Sequence, residues 1–312
     1  MNFIESKAMV NETANKESVR RKWKFTQKDY LGYLFVIPCT IIFIMFTLVP
    51  IVLVFVLAFT DFNGISFEGI QFKEFNNFKY IFTTGIEFWN GMLNIVIYTF
   101  TTVPYTIVMS LVLALIVFKK LPLTKVFRGI FYIPGITSVI ASATVWRYLL
   151  DGNGIINNFI EFLNGSFGAD FSKILLNNSA TALWGPILMA CWGSLGGNMV
   201  LFIAALGNVP ESVQEAAKVD GASAWRTFFS ITLPCIWPAI FFASTLALIG
   251  APQMFEPILA LDANTTTPVY EIYKTAVKGT SVGLGCAQSV LLFIFIMIIT
   301  FFFQRFNKES YF

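Results

Sequence analysis

Six long apolar stretches alternate along the chain with shorter segments rich in charge, amide and glycine. The apolar stretches run over 31–60, 91–118, 129–150, 180–206, 233–255 and 288–304. About 20 residues of α-helix suffice to cross the hydrocarbon of a bilayer, so the pattern predicts an all-α polytopic membrane protein with six transmembrane helices. Pro38, Pro50, Pro104, Pro134-Gly135, Pro186, Pro238 and Pro252 fall inside or at the ends of these stretches and predict bends.

The polar segments differ among themselves. Residues 1–30 are mixed in charge, with no short apolar stretch of their own, and read as a cytoplasmic tail, not a signal peptide. A loop over 61–89 ends in aromatics suited to a membrane interface, Phe88 and Trp89. Lys119, Lys120, Lys125 and Arg128 make a short basic loop. Between 151 and 179, the amphipathic piece 155–163 predicts a short interfacial helix. A further loop covers 256–288.

The segment over 207–234 has helical punctuation of its own. It reads NVPESVQEAAKVDGASAWRTFFSITLP from Asn208 to Pro234. Asn208 is a candidate N-cap, Pro210 suits a first turn, and Glu211 faces the positive end of the helix dipole. Gly221 supplies the left-handed stop. Ser223 caps a second helix that carries Trp225, Phe228, Phe229 and Thr232 on one face, and Pro234 marks a change of direction. The small residues Ala216, Ala217 and Ala222 leave room for another protein. The prediction is a helix–turn–helix outside the lipid, between the fourth and fifth spans.

Charge sets the orientation. Fifteen of the 21 Lys and Arg lie on one side: in the N-terminal tail, the 119–128 loop, the hairpin (Lys218, Arg226) and the C-terminal tail (Arg305, Lys308). Basic residues favour the cytoplasm, so both termini and the hairpin are expected there. Lys73, Lys79, Arg147, Lys173, Lys274 and Lys278 fall on the other side.

Composition narrows the function. Hydrophobic residues make up 56% of the chain and charged residues 12%, and the net charge is only +3, too small to point to nucleic acid. There is no His, which removes the commonest metal ligand and the usual neutral-pH proton carrier. Cys39, Cys191, Cys235 and Cys286 lack metal or redox spacing. The apolar stretches contain no Asp, Glu, Lys or Arg up to the end regions at Arg147 and Arg305, so a proton relay lacks parts. Sodium coupling through carbonyls and hydroxyls stays open. No G-x-x-x-x-G-K-[ST] loop is present, so ATP cannot be hydrolysed here by that route. No paired carboxylates or Ser–base arrangement favours a membrane enzyme. Active transport would therefore draw its energy through contact with another protein, and the hairpin is the candidate handle.

Glu215-Ala216-Ala217, then Asp220-Gly221-Ala222, Phe228, Ile231 and Leu233-Pro234, resemble the EAA signature of ATP-binding-cassette (ABC) importer permeases. The resemblance extends from about Tyr30 onward to the carbohydrate-type permeases of the maltose, raffinose and glycerol-phosphate kind. It rests on Asn76-Asn77-Phe78-Lys79-Tyr80, Phe127-Arg128-Gly129, Tyr132-Ile133-Pro134, Trp146-Arg147, Gly154-Ile155-Ile156-Asn157 and Phe255-Glu256-Pro257. Leu261-Asp262-Ala263-Asn264 stands where many relatives carry Thr-x-Gly-Gly-Pro.

The resemblance implies one half of a channel in a bacterial cell membrane. Its partners would be a second permease subunit, two ABC ATPase subunits and an external solute-binding protein. ATP and Mg would reside in the ATPases, with no cofactor, metal or catalytic residue in this chain. It also implies a sugar path from the fourth and fifth spans, near Trp192, Ser194, Gly197 and Asn198, and near Ala247, Gly250, Ala251, Gln253 and Phe255. Several of these are small, which predicts a smooth passage, with selection by the partner subunit or the binding protein. Gly193 and Gly197 equally suit close helix packing, and Trp192 equally suits a lipid interface. Glu256 and Arg147 read as interfacial charges. The same machinery carrying a non-sugar solute, such as glycerol phosphate, an oligopeptide or an amino acid, and a sodium-coupled carrier acting alone remain the other readings.

Overall fold

The computed structural model describes residues 27–66, 68–118 and 124–308. The expected tail up to residue 26, together with Lys119 and Lys120 of the basic loop, lies outside them. The described residues divide into two compact units, with the boundary after Leu53. In the first, a helix over Gln27–Phe43 carries Pro38 and passes into a π-helical turn at Ile44–Leu48; the helix Val49–Leu57 follows in sequence.

Among the described residues, five helices are long and apolar enough to cross a membrane: Tyr33–Leu57, Ile86–Phe118, Trp184–Gly207, Ala224–Gln253 and Val282–Arg305. A bent pair, Val126–Ile136 and Val139–Leu149, makes six if it counts as one span. Its bend of 98° falls at 137–138 and not at Pro134-Gly135, the expected interruption. Pro134 stays inside the helix Thr124–Ile136. Ser138 is extended there, and its hydroxyl accepts from the Ala141 amide, so a side-chain cap starts the new helix.

Other boundaries also move. The second span begins at Ile86, five residues earlier than its apolar run, and takes in Glu87, Phe88 and Trp89. The fourth begins at Trp184 and not 180. The last helix runs over Val282–Lys308, longer at both ends than 288–304. Loops expected over 61–89 and 256–288 contain the short helices Asn76–Thr83, Glu256–Leu261 and Pro268–Tyr273. The amphipathic piece forms the helix Ile155–Phe167 and ends at left-handed Gly168.

The largest correction concerns Pro234. It does not turn the chain. Ala224–Gln253 is one helix of 30 residues, so the second arm of the hairpin continues into the fifth span. A π-helical turn at Phe228–Thr232 precedes the proline. Proline lacks an amide hydrogen and crowds the carbonyl four residues back; a widened turn just before it takes up that mismatch.

Two clusters mark the ends of the second unit. Near the hairpin, Ile107, Val117, Met199, Phe202, Leu206 and Ile236 pack together. At the opposite end, Ile95, Tyr98, Leu183, Ile187, Met254 and Ile258 do so.

Candidate functional site

The hairpin is built from local rules. Its first helix is Glu211–Val219, with Pro210 and not Asn208 at the N-cap; Asn208 instead ends the preceding helix. Asp220 caps the C-terminus, and Gly221 follows at φ +72°. Ala222 N donates to Ala217 O at 2.9 Å and Gly221 N to Lys218 O at 3.1 Å, bonds that satisfy end carbonyls. Ser223 Oγ accepts from Arg226 N at 3.3 Å and starts the second arm. Nothing lies within 4 Å of a Cβ built at Gly221, so the backbone angle and not crowding demands glycine.

Of Glu211–Val219 only Ala217 is buried. Glu215, Ala216, Asp220 and Gly221 are exposed, while Ala222, Phe228, Ile231 and Leu233 are half-buried and Pro234 is exposed. Val219 is 88% exposed and Trp225 74%, and the Trp225 ring stacks on Phe229 at 5.8 Å. Val219 lay outside the motif positions; its high exposure is what distinguishes it.

A cleft of about 600 Å³ lies between the two packing clusters. Ser194, Asn198, Ala247, Gly250, Ala251, Gln253 and Phe255, all named from the sequence, line it together. Trp192 and Gly197 do not. Cleft-lining Ala190, Ser194 and Asn198 are spaced four apart and share one helix face. Trp192 lies two residues off that stripe and meets Trp146 edge-on at 6.2 Å. Gly197 has open space around it; the close approach belongs to Gly196, where a Cβ would sit 2.6 Å from Tyr132 Cα.

The second span supplies a third wall that sequence reasoning missed. Tyr98, Thr102 and Thr106 line the cleft at four-residue spacing, and Ser110 continues the row. That polar stripe within an apolar helix was the available signal. Thr106 Oγ1 lies 2.7 Å from Ser194 Oγ, and Ser110 Oγ donates to Leu195 O at 3.1 Å, which joins the second span to the fourth. Asn198 Nδ2 donates to Ser194 O at 3.3 Å. Gln253 Nε2 donates to Ile249 O at 2.9 Å. Glu256 is the one carboxylate among the lining residues, and no Lys or Arg joins it. Such a wall offers hydroxyl and amide groups to a polar, uncharged ligand.

Arg147 is more than an interfacial charge. Its Nε donates to Leu261 O at 3.0 Å and its Nη2 lies 3.5 Å from Asp262, so it fastens the end of the helix Glu256–Leu261. Nearby, Lys274 Nζ lies 2.6 Å from Glu271 and 3.1 Å from Glu87. Burial alone would lower the Lys274 pKa, but its hydrogen bonds and charge interactions with Glu271 and Glu87 outweigh that and raise it. Among the described residues no group of three or more His, Cys, Asp or Glu is placed to hold a metal.

Residues 87–309 match the family described as binding-protein-dependent transport system inner membrane component. The chain is 30% identical over 308 residues to a probable ABC transporter permease protein, YesP, of Bacillus subtilis (strain 168), covering 96% of this chain and 97% of that one. It is 29% identical to the arabinooligosaccharides transport system permease protein AraP of the same strain, covering 88% of each. A bacterial ABC transporter involved in the import of the acidic polysaccharide alginate shares the fold, with a TM-score of 0.76 at 23% identity over 93% of this chain and 99% of that chain. The all-helical architecture, the apolar spans and the match over most of its length place the chain in the family of binding-protein-dependent transport system inner membrane components.

Proposed function

We propose that this chain is the membrane-spanning permease subunit of an ATP-driven ABC importer that translocates a sugar or oligosaccharide delivered by an external binding protein. Six spans, with both termini and the hairpin in the cytoplasm, complete the picture. A second permease subunit and two ATPase subunits are its partners. ATP and Mg reside in the ATPases, and hydrolysis occurs there. The EAA-like loop, Glu215 to Pro234, is the surface that the ATPase grips.

One observation carries the reading. The helix Ala224–Gln253 starts in the hairpin and ends at the cleft, contributing Ala243, Leu246, Ala247 and Gly250 to its wall and Gln253 at its mouth. At 1.5 Å per residue it is about 45 Å long. A displacement of the hairpin therefore reaches the cleft through one hydrogen-bonded rod, with no loop to absorb it. The hydroxyl and amide lining, without a cation, favours a neutral sugar over glycerol phosphate, which would call for Arg or Lys.

Reconstitution in proteoliposomes tests this. ATP-dependent uptake of neutral oligosaccharides should need the two permease subunits, the ATPases and the binding protein together. Concentrative uptake by this chain alone, driven by a sodium gradient, would overturn the reading in favour of a secondary carrier.

A further inference from the structure

A second cleft, of about 760 Å³, opens at the end opposite the hairpin. Its walls come from the start of the helix Ile86–Phe118, from 177–179 and from 262–274. Amide and hydroxyl side chains dominate them. Side chains far apart in sequence fix these walls. Asn94 Nδ2 donates to Thr265 Oγ1 at 3.2 Å and to Thr266 O at 2.9 Å. Asn264 donates through its backbone amide to Leu176 O at 2.7 Å and through Nδ2 to Asn177 O at 3.0 Å. Polar groups held this way are arranged before any ligand arrives.

Two amides in the wall are accessible: Asn90 and Asn177 line the cleft and are exposed. The Thr266 hydroxyl is shielded from solvent and out of a ligand's reach, so the accessible amides are the groups a ligand would meet. The charges, by contrast, are already committed. Lys274 is paired with Glu87 and Glu271, and neighbouring Arg147 with Asp262. These carboxylates outnumber the cations, so an anionic ligand would find no spare counter-charge.

The two clefts share a partition. Tyr270 lines this one and Phe255 lines the first, and their rings lie 6.3 Å apart.

We propose that this second cleft is a saccharide site in its own right, which takes neutral, polyhydroxylated solute through Asn90 and Asn177 ahead of the inner cleft and disfavours uronates and phosphorylated sugars. The proposal rests on the transport reading above and adds a site and a charge preference to it. The assembled transporter in nanodiscs, without ATP or binding protein, is titrated with neutral pentasaccharides of arabinose, galactose and glucose and with galacturonate pentasaccharide. For the neutral sugar that binds best, Asn177→Ala and Asn90→Ala should each raise the half-saturating concentration about fivefold, the loss of one hydrogen bond. Both substitutions leave the helix packing alone, and galacturonate should bind at least tenfold more weakly than the neutral sugar. Unchanged titration in both variants, or equal binding of galacturonate, overturns the proposal. So does weakened binding-protein docking with unchanged saccharide titration, which would make the cleft a docking seat. ATP-driven uptake of the neutral sugars by the wild type, measured in parallel, separates the two claims. Uptake with unaltered variant titration removes only the second site, whereas absence of ATP-driven uptake for every sugar removes both.

Discussion

At the hairpin end the backbone is held by bonds that reach only a few residues along the chain. At the opposite end, side chains tie together segments 87 to 171 residues apart in sequence, as in Asn264–Asn177, Arg147–Leu261 and Asn94–Thr265. Asn157 extends the contrast: it is fully buried and makes four hydrogen bonds, to Leu150 O, Asp151 O, Ile174 O and Ile174 N. The hairpin instead buries only Ala217 of its first helix and leaves Val219 and Trp225 in the open. The loosely attached end presents apolar side chains and small residues, as expected of a surface that another protein covers. The long helix Ala224–Gln253 joins the two regimes.

Substitutions at the two ends should therefore separate stability from coupling. Asn157→Leu should do the most damage. It strips the partners from three carbonyls and one amide, and the cost is about 3 kcal/mol. Thermal unfolding in detergent should show the lower midpoint, while the sugar moved per ATP hydrolysed by surviving protein stays unchanged. Gly221→Val should do the reverse. Forcing a β-branched residue into the left-handed region costs about 1–2 kcal/mol, and if that strain falls on docking, uptake drops about tenfold. Its unfolding midpoint should shift less than that of Asn157→Leu. A Gly221 variant that transports normally would erase the contrast.

Thr106→Val sharpens the comparison at the midpoint between the ends. It breaks the 2.7 Å bond to Ser194 at the cleft wall and should cost about 1 kcal/mol. A rise in the KM for uptake, with kcat kept, would mark a cleft role; a fall in kcat alone would speak against it.

The smallest effect is expected at the surface pair Glu161–Lys173, 2.8 Å apart. Lys173 holds the Glu161 carboxyl below its ordinary value of 4.5, first by hydrogen bonding and then by charge. A depressed carboxyl pKa contributes stability above the unfolded value, and that contribution fades as pH falls through the folded one. Lys173→Met should thus leave the neutral-pH midpoint within error and remove only a small acid-side dependence below about pH 4.5.

The apolar runs made the spans legible, because a lipid-crossing helix must be long and uncharged. The left-handed Gly221 and the Ser223 cap were legible because each follows from a local rule. What escaped depended on packing. The third-span bend sits at Ser138 and not at Pro134, since a capping hydroxyl restarts the helix there. Pro234 promised a break, but the π turn before it keeps the helix whole. Trp192 and Gly197 came in with the family resemblance, which points to a stretch of the fourth span and not to one of its faces; helical phase turns them off the cleft face. The Tyr98, Thr102 and Thr106 row stands in the letters, but the family resemblance points to the fourth and fifth spans and not to the second.

The central claim is that one unbroken helix carries movement from hairpin to cleft. Replacing Cys235 and Ala239 with glycine, past Pro234 and before Ala243, the first cleft residue of this helix, would loosen that rod without touching the Glu215–Pro234 surface or the cleft lining. In the reconstituted transporter, ATP hydrolysis and sugar uptake are measured on the same sample. Hydrolysis near the wild-type rate with uptake reduced at least about tenfold is the predicted result; uptake per ATP equal to wild type would contradict the account.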